Sequence, residues 1–148
     1  MPAGSATLII LDTSGVYAFK DESADEHLAV RRAVDTDPGP FILSPFVLAE
    51  LDYLVSRRLG QRVERELLED VANGAYELAE ISADDIVTAM ALIDRYADLR
   101  LGLTDASVAV LAARHRTTRL LTLDERDFRP MRPLYGTAFT LLPSDEGS

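Results

Sequence analysis

The stretch Leu8-Ile9-Ile10-Leu11-Asp12-Thr13-Ser14-Gly15 constrains this chain more than any other. Four consecutive large apolar residues, two of them β-branched, read as a strand covered on both faces, as strands of parallel sheets are. The run stops at an acid followed by two hydroxyls. A carboxylate at the tip of a buried strand is costly unless something compensates it, so the rest of the chain must supply the compensation.

Downstream, short apolar runs alternate with helical patterns. Val16 to Phe19 reads as a turn of helix, and residues 24–34 as a helix with sparse apolar contacts at Leu28, Val30 and Val34. After the break Asp37-Pro38-Gly39-Pro40, Phe41-Ile42-Leu43 forms a second strand, ended by Ser44-Pro45. That pair is an N-cap followed by proline at the first helical position. The helix it opens runs to about Leu59, where Gly60 ends it, and another covers residues 61–72 with Val63, Leu67, Leu68 and Val71 on one side.

Residues 76–81 make a weaker third strand, interrupted by Glu77 and Glu80. Ser82 with Asp85 forms a capping box ahead of Ile86, Ala89, Met90, Ile93 and Ala97. The segment 106–115 is apolar on nearly every side, which predicts a buried helix. Residues 119–123 and 138–142 are the fourth and fifth strands, with a turn of helix over 125–128 between them, and residues 143–148 are a polar tail expected to fray. Strands alternating with helices predict an α/β/α sandwich with a mainly parallel sheet of about five strands. At 148 residues the chain fits one domain over residues 1–148, long enough to bury roughly 70% of its unfolded surface.

Composition narrows the function. With no cysteine, disulfides and thiolate metal sites are excluded. The first apolar run breaks at Asp12 with no basic segment before it, so neither a signal peptide nor a spanning helix is expected, and the expected location is the cytoplasm with no membrane partner. The net charge of −10 argues at first against nucleic acid. The positive charge, however, is almost all arginine, and from Arg114 to Arg132 six arginines face three acids. This segment is either a positive patch or a solvated surface of ion pairs.

Four carboxylates stand out. Asp12 and Asp124 each end a strand, which in a parallel sheet puts them at the edge where such folds place their sites. Asp105 opens a helix after Thr104 but precedes its strand, so fold geometry alone leaves its edge undecided. Glu50 borders the stripe of Val47, Leu51 and Leu54. Taken singly, each has an ordinary reading as a helix cap, a helix-dipole partner or a solvated side chain. Taken together, two carboxylates about 4 Å apart repel by about 4 kcal/mol at an effective dielectric of 20. Convergence therefore demands a cation. Oxygen-only ligands with no histidine or cysteine nearby point to Mg²⁺ or Mn²⁺, and such clusters hold one or two ions that activate water on a phosphodiester. Both histidines, His27 and His115, sit on helices as structural or surface residues, and no Gly-rich phosphate loop is present.

Four motifs now stand in order: Leu11-Asp12-Thr13-Ser14; Ser44-Pro45-Phe46-Val47-Leu48-Ala49-Glu50-Leu51; Gly102-Leu103-Thr104-Asp105-Ala106-Ser107; and Leu121-Thr122-Leu123-Asp124-Glu125-Arg126-Asp127-Phe128. Their acids are spaced by 38, 55 and 19 residues. The chain resembles PIN-domain proteins, and within them the VapC-type ribonuclease toxins of bacterial toxin–antitoxin pairs. The resemblance implies a small Rossmann-like α/β/α fold and a Mg²⁺- or Mn²⁺-dependent endoribonuclease acting on RNA. It also implies a homodimer and neutralisation by a cognate antitoxin. Residue by residue, Asp12, Glu50, Asp105 and Asp124 match the acidic quartet, Asp127 is an additional or substitute metal ligand, and Thr13 or Ser14 matches the hydroxyl beside the first acid. Asp12 and Asp105 are expected on the metal directly, with Glu50 and Asp124 acting through water. Arg114, Arg116 or Arg126 are expected to steer the RNA backbone. The apolar side of residues 61–72, with Phe46 and Tyr53, offers dimer contacts or ordinary core.

Two other enzyme classes fit poorly. Aspartyl-phosphate phosphatases need a second Asp two residues after the first, where Ser14 stands, and receiver domains need a late lysine, whereas the one lysine is Lys20. A PIN fold used as an RNA- or protein-binding module, or as a housekeeping nuclease, remains the alternative to a toxin.

Overall fold

The computed structural model describes residues 8–146. They form strands β1 (Ile9–Leu11), β2 (Phe41–Leu43), β3 (Glu77–Leu78), β4 (Arg119–Leu121) and β5 (Thr140–Leu142). The helices are α1 (Thr13–Lys20), α2 (His27–Asp35), α3 (Pro45–Arg58), α4 (Gln61–Ala72), α5 (Ala83–Arg95), α6 (Leu103–Arg114) and α7 (Glu125–Phe128), with a 3-10 turn at Ala97–Leu99. The sheet is parallel throughout in the order β3-β2-β1-β4-β5. The expected α/β/α sandwich with a parallel five-stranded sheet is therefore present.

Local signals set most boundaries. Ser44 Oγ accepts from the Phe46 N–H at 3.1 Å with Pro45 at the first helical position, so α3 begins where its cap residues dictate. The Ser82–Asp85 capping box opens α5, with both reciprocal bonds made. β1 is buried along its whole length, as its four-residue apolar run requires. The helix expected over residues 106–115 is buried from Ala106 to Ala112, packed under the sheet on one side and α5 on the other.

Two expectations change. β3 shrinks to Glu77–Leu78, both exposed, because it is an edge strand paired only with β2 and its glutamates face water. Residues 143–146, expected to fray, form a turn in which Asp145 accepts from the Leu141 N–H at 2.8 Å and from Arg129 at 2.7 Å; residues 147 and 148 lie outside the described residues. Among the described residues, no helix is long and apolar enough to cross a membrane. On the side with the expected dimer contacts, Val63 and Val71 pack against the core, Phe46 is half-buried, and Leu68 and Tyr53 are exposed.

Gly15 shows why the opening motif ends as it does. A Cβ there would stand 2.4 Å from the Leu121 carbonyl oxygen, so only glycine lets the first turn of α1 lie against the end of β4. The same contact brings the chain after β1 beside the chain after β4.

Candidate active site

β1 and β4 are neighbours at the centre of the sheet, yet β1 continues outward through β2 and β4 through β5. Between them the winding reverses, and the crevice at their carboxyl ends is the ligand position of an open parallel sheet. Asp12 follows β1 directly, and Thr122 to Asp124 follow β4.

Asp12 occupies the N-cap position of α1 but makes no side-chain cap bond. Its Oδ2 instead accepts from Thr122 Oγ1 at 2.7 Å and from Ser14 Oγ at 3.3 Å. Ser14 Oγ in turn accepts from the Leu123 N–H at 2.9 Å, and Thr122 Oγ1 from the Asp124 N–H at 2.9 Å. These bonds join the two strand ends through residues more than a hundred positions apart and hold the first carboxylate in one orientation. Burial pushes the Asp12 carboxyl up to about 6, against the opposing pull of the Thr122 hydrogen bond. Thr122, with no exposed surface, is a functional residue that sequence reasoning missed. Its signal was the Thr-Leu-Asp spacing, which puts a hydroxyl two residues before the second strand-end acid.

Asp105 reaches the same edge by a route the sequence reading left undecided. A helix that leads back into a parallel strand must run antiparallel to it, so the N-terminus of α6 lies at the carboxyl edge of β4. Ser107 fixes it there: its Oγ lies 2.8 Å from Ser44 Oγ at the start of α3 and donates to the Thr104 carbonyl at 2.6 Å. Both serines are buried. Asp105 therefore stands in the first turn of α6, where the helix dipole favours an anion. Even so, burial, and then the charges of Asp12, Asp127 and Asp124, push it up to about 7.

The third acid group comes from α7. Phe128 is 1% exposed and meets Phe139 edge-to-face at 5.9 Å, pinning this single turn to the sheet. Asp124 caps the turn by accepting from the Asp127 N–H at 3.2 Å, so its ordinary role as a cap and its place in the cluster coexist. Carboxylate oxygens of Asp105, Asp124 and Asp127 come within 4.8 Å of one another. Burial and the Asp124 charge raise Asp127 as well.

Asp124 and Asp127 converge with Asp105; Asp12, whose Oδ2 accepts from Thr122 and Ser14, is not one of that trio but acts on Asp105 through its charge. Glu50, exposed on α3, lines the hollow shared by Asp12, Asp105 and Asp124 but is not in the cluster. The Thr13 hydroxyl is buried there without a hydrogen-bond partner among the described residues, unlike Ser14, which bonds Asp12 and Leu123.

Of the three arginines expected to steer RNA, Arg126 lies beside the acids, in a second hollow that shares Ser14, Leu123 and Asp124 with the first. Arg114 does not. It ends α6, nine residues and so about 14 Å along the helix from Asp105, where it pairs with Asp85 and donates to the Glu80 carbonyl. Arg116 follows it beyond the helix end and is likewise remote from the acids. The positive stretch counted along the sequence is thus divided between two edges of the sheet.

The donor set suits a hard divalent cation: oxygen ligands only, brought together from α6 and the α7 turn, with Asp105 and Asp127 holding protons more tightly than usual, protons that a cation would displace. The chain belongs to the PIN-domain family, whose pattern matches residues 9–132. Over 135 residues it is 42% identical to Ribonuclease VapC26 of Mycobacterium tuberculosis (strain ATCC 25618 / H37Rv), covering 91% of this chain and all of that protein. The fold is similar to that of Mycobacterium tuberculosis VapC20, a Sarcin-Ricin loop cleaving toxin, with a TM-score of 0.73 at 21% identity over 78% of this chain and 89% of the other. It is also similar to a chain of VapBC2 from Rickettsia felis bound to a DNA fragment from their promoter, with a TM-score of 0.62 at 21% identity over 84% and 92%.

Proposed function

We propose that this protein is a divalent-cation-dependent endoribonuclease and the toxin of a toxin–antitoxin pair. The observation that carries the reading is the convergence of Asp105, Asp124 and Asp127 within 4.8 Å beside the buried Asp12, at the switch point of the sheet. The 42% identity to Ribonuclease VapC26 supports the choice of RNA.

Asp105, Asp124 and Asp127 would hold Mg²⁺ or Mn²⁺, with Asp12 completing the charge on its strand-end side. Such an ion, when bound, would lower the pKa of water at the site and offset charge building on the phosphodiester. The chain's own groups do the rest. Thr122 and Ser14 keep Asp12 ionised and oriented, Glu50 aligns the attacking water across the hollow, and Arg126 steers the RNA backbone. Water attacks phosphorus and the 3′ oxygen departs, so the 2′-hydroxyl is not the nucleophile. The protein works as a homodimer, and an antitoxin covers the acids until it is removed.

Purified protein freed of any partner should cleave total RNA with Mn²⁺ or Mg²⁺ and stop on chelation. Induced expression in a bacterium should arrest growth, and Asp12→Ala should abolish the arrest. Harmless expression of an active nuclease would leave the nuclease and remove the toxin; absence of cleavage by protein that binds Mn²⁺ would remove both.

A further inference from the structure

The hollow that holds the acids, about 380 Å³ in volume, is not acidic throughout. Tyr17, Ala18, Leu54 and Arg58 also line it. Leu54 and Arg58 follow Glu50 at intervals of four along α3, so the three lie in one row of that helix, while Tyr17 follows Ser14 by three on α1. The two helices pack against each other, and the Arg58 guanidinium carbon lies 5.7 Å from the centroid of the Tyr17 ring. Arg58 makes no ion pair among the described residues, although Glu26 and Glu50 line the same hollow. It is laid against an aromatic ring instead.

An aromatic ring with aliphatic neighbours offers a surface for the face of a base, and an arginine without an acid partner offers donors for a phosphate. Both stand beside the acids assigned to the scissile phosphodiester. We infer that Tyr17, Leu54 and Arg58 form a nucleotide subsite, in which a base adjoining the cleaved bond stacks on Tyr17 beside Leu54 while Arg58 holds a neighbouring phosphate. The inference rests on the ribonuclease reading above and adds its selectivity. A base held this way is turned out of any helix, so the nucleotide at this position must be unpaired.

The test uses the full chain with Mn²⁺ and fluorescein-labelled single-stranded RNA heptamers, each nucleotide in turn replaced by an abasic ribose. Tyr17→Leu, which keeps apolar bulk for folding, and Arg58→Ala, at an exposed position, should each raise KM about tenfold, with the smaller part of the loss in kcat. One abasic position next to the cleaved bond should weaken cleavage by the parent to a similar extent and add little in the Tyr17→Leu protein. Parent-like KM values in both variants, or an abasic effect equally large in the Tyr17→Leu protein, would remove the subsite and leave the ribonuclease. Normal RNA kinetics together with loss of a tightly bound protein partner would make the hollow a protein site and overturn the inference. A parent that neither cuts nor binds the heptamers would overturn the subsite and the ribonuclease together.

Discussion

Two sets of carboxylates in this protein are treated in opposite ways. At the periphery, Asp85 accepts from the Ser82 N–H and meets Arg114, and Asp145 takes both terminal nitrogens of Arg129 at 2.7 Å. Both are held below the usual carboxylate range by those hydrogen bonds. At the carboxyl edge of β1 and β4, Asp12 and Asp105 are pushed up to about 6 and about 7, by burial first and then by other acids. Among the described residues, no arginine pairs with Asp12, Asp105, Asp124 or Asp127. The chain carries fourteen arginines, so the difference is one of placement. Asp85 and Asp145 are neutralised from within, whereas the acids at the switch point have no arginine partner among the described residues.

The sharpest way to break this contrast is Asp105→Asn. It should cost at least about 100-fold in cation-dependent RNA cleavage, because it removes the carboxylate that α6 brings to the two acids of the α7 turn. It should also raise the melting temperature of the metal-free protein, since it removes like-charge repulsion at a functional position. Calorimetry and a cleavage assay on the same preparation check both signs, and a lower melting temperature would show that repulsion is not what strains the site.

Next in size is Thr122→Val, which keeps the side-chain volume but deletes the 2.7 Å donor to Asp12 and the acceptor for the Asp124 N–H. Loss of such an orienting partner should cost about 10- to 100-fold in activity or cation affinity. The Asp12 carboxyl should move further up, which NMR titration of its side-chain carbon reads directly.

The pH dependence of stability follows from the same groups. Both carboxyls stand above the ordinary 3.8, so the folded chain holds these protons more tightly than the unfolded chain does. Their contribution is full below about pH 4 and is lost as pH rises through about 6 for Asp12 and about 7 for Asp105. Relative to an Asp12→Asn, Asp105→Asn double variant, the metal-free protein should therefore melt progressively lower between pH 4 and pH 7.5. Added Mg²⁺ or Mn²⁺ should close that gap at the upper end. A pH-independent difference between the two proteins would contradict the assignment.

The smallest effect belongs to the peripheral set. Arg129→Ala leaves Asp145 and Glu125 without their cation at a largely exposed site. It should lower stability by less than about 1 kcal/mol, an effect that salt shrinks, and leave cleavage near the parent value. Loss of cleavage without loss of folding would erase the distinction between the two sets.

By itself the sequence determined what neighbouring residues decide between themselves. The buried run Ile9–Leu11, the Ser44-Pro45 start of α3, the limits of α4, the Ser82–Asp85 box and the single turn of α7 depend on contacts a few residues apart, and each lies where its motif puts it. Four acids with two strand ends among them were legible for the same reason. The tertiary structure decided which of those acids converge and what stands behind them. Asp127 joined Asp105 and Asp124, Asp12 turned back to Thr122, and Arg114 was carried to the far end of a helix while Arg58 was brought to the hollow. These outcomes depend on the strand order β3-β2-β1-β4-β5 and on the antiparallel return of α6. Strand order makes neighbours of side chains 108 and 110 positions apart, and no local pattern encodes contact at that separation.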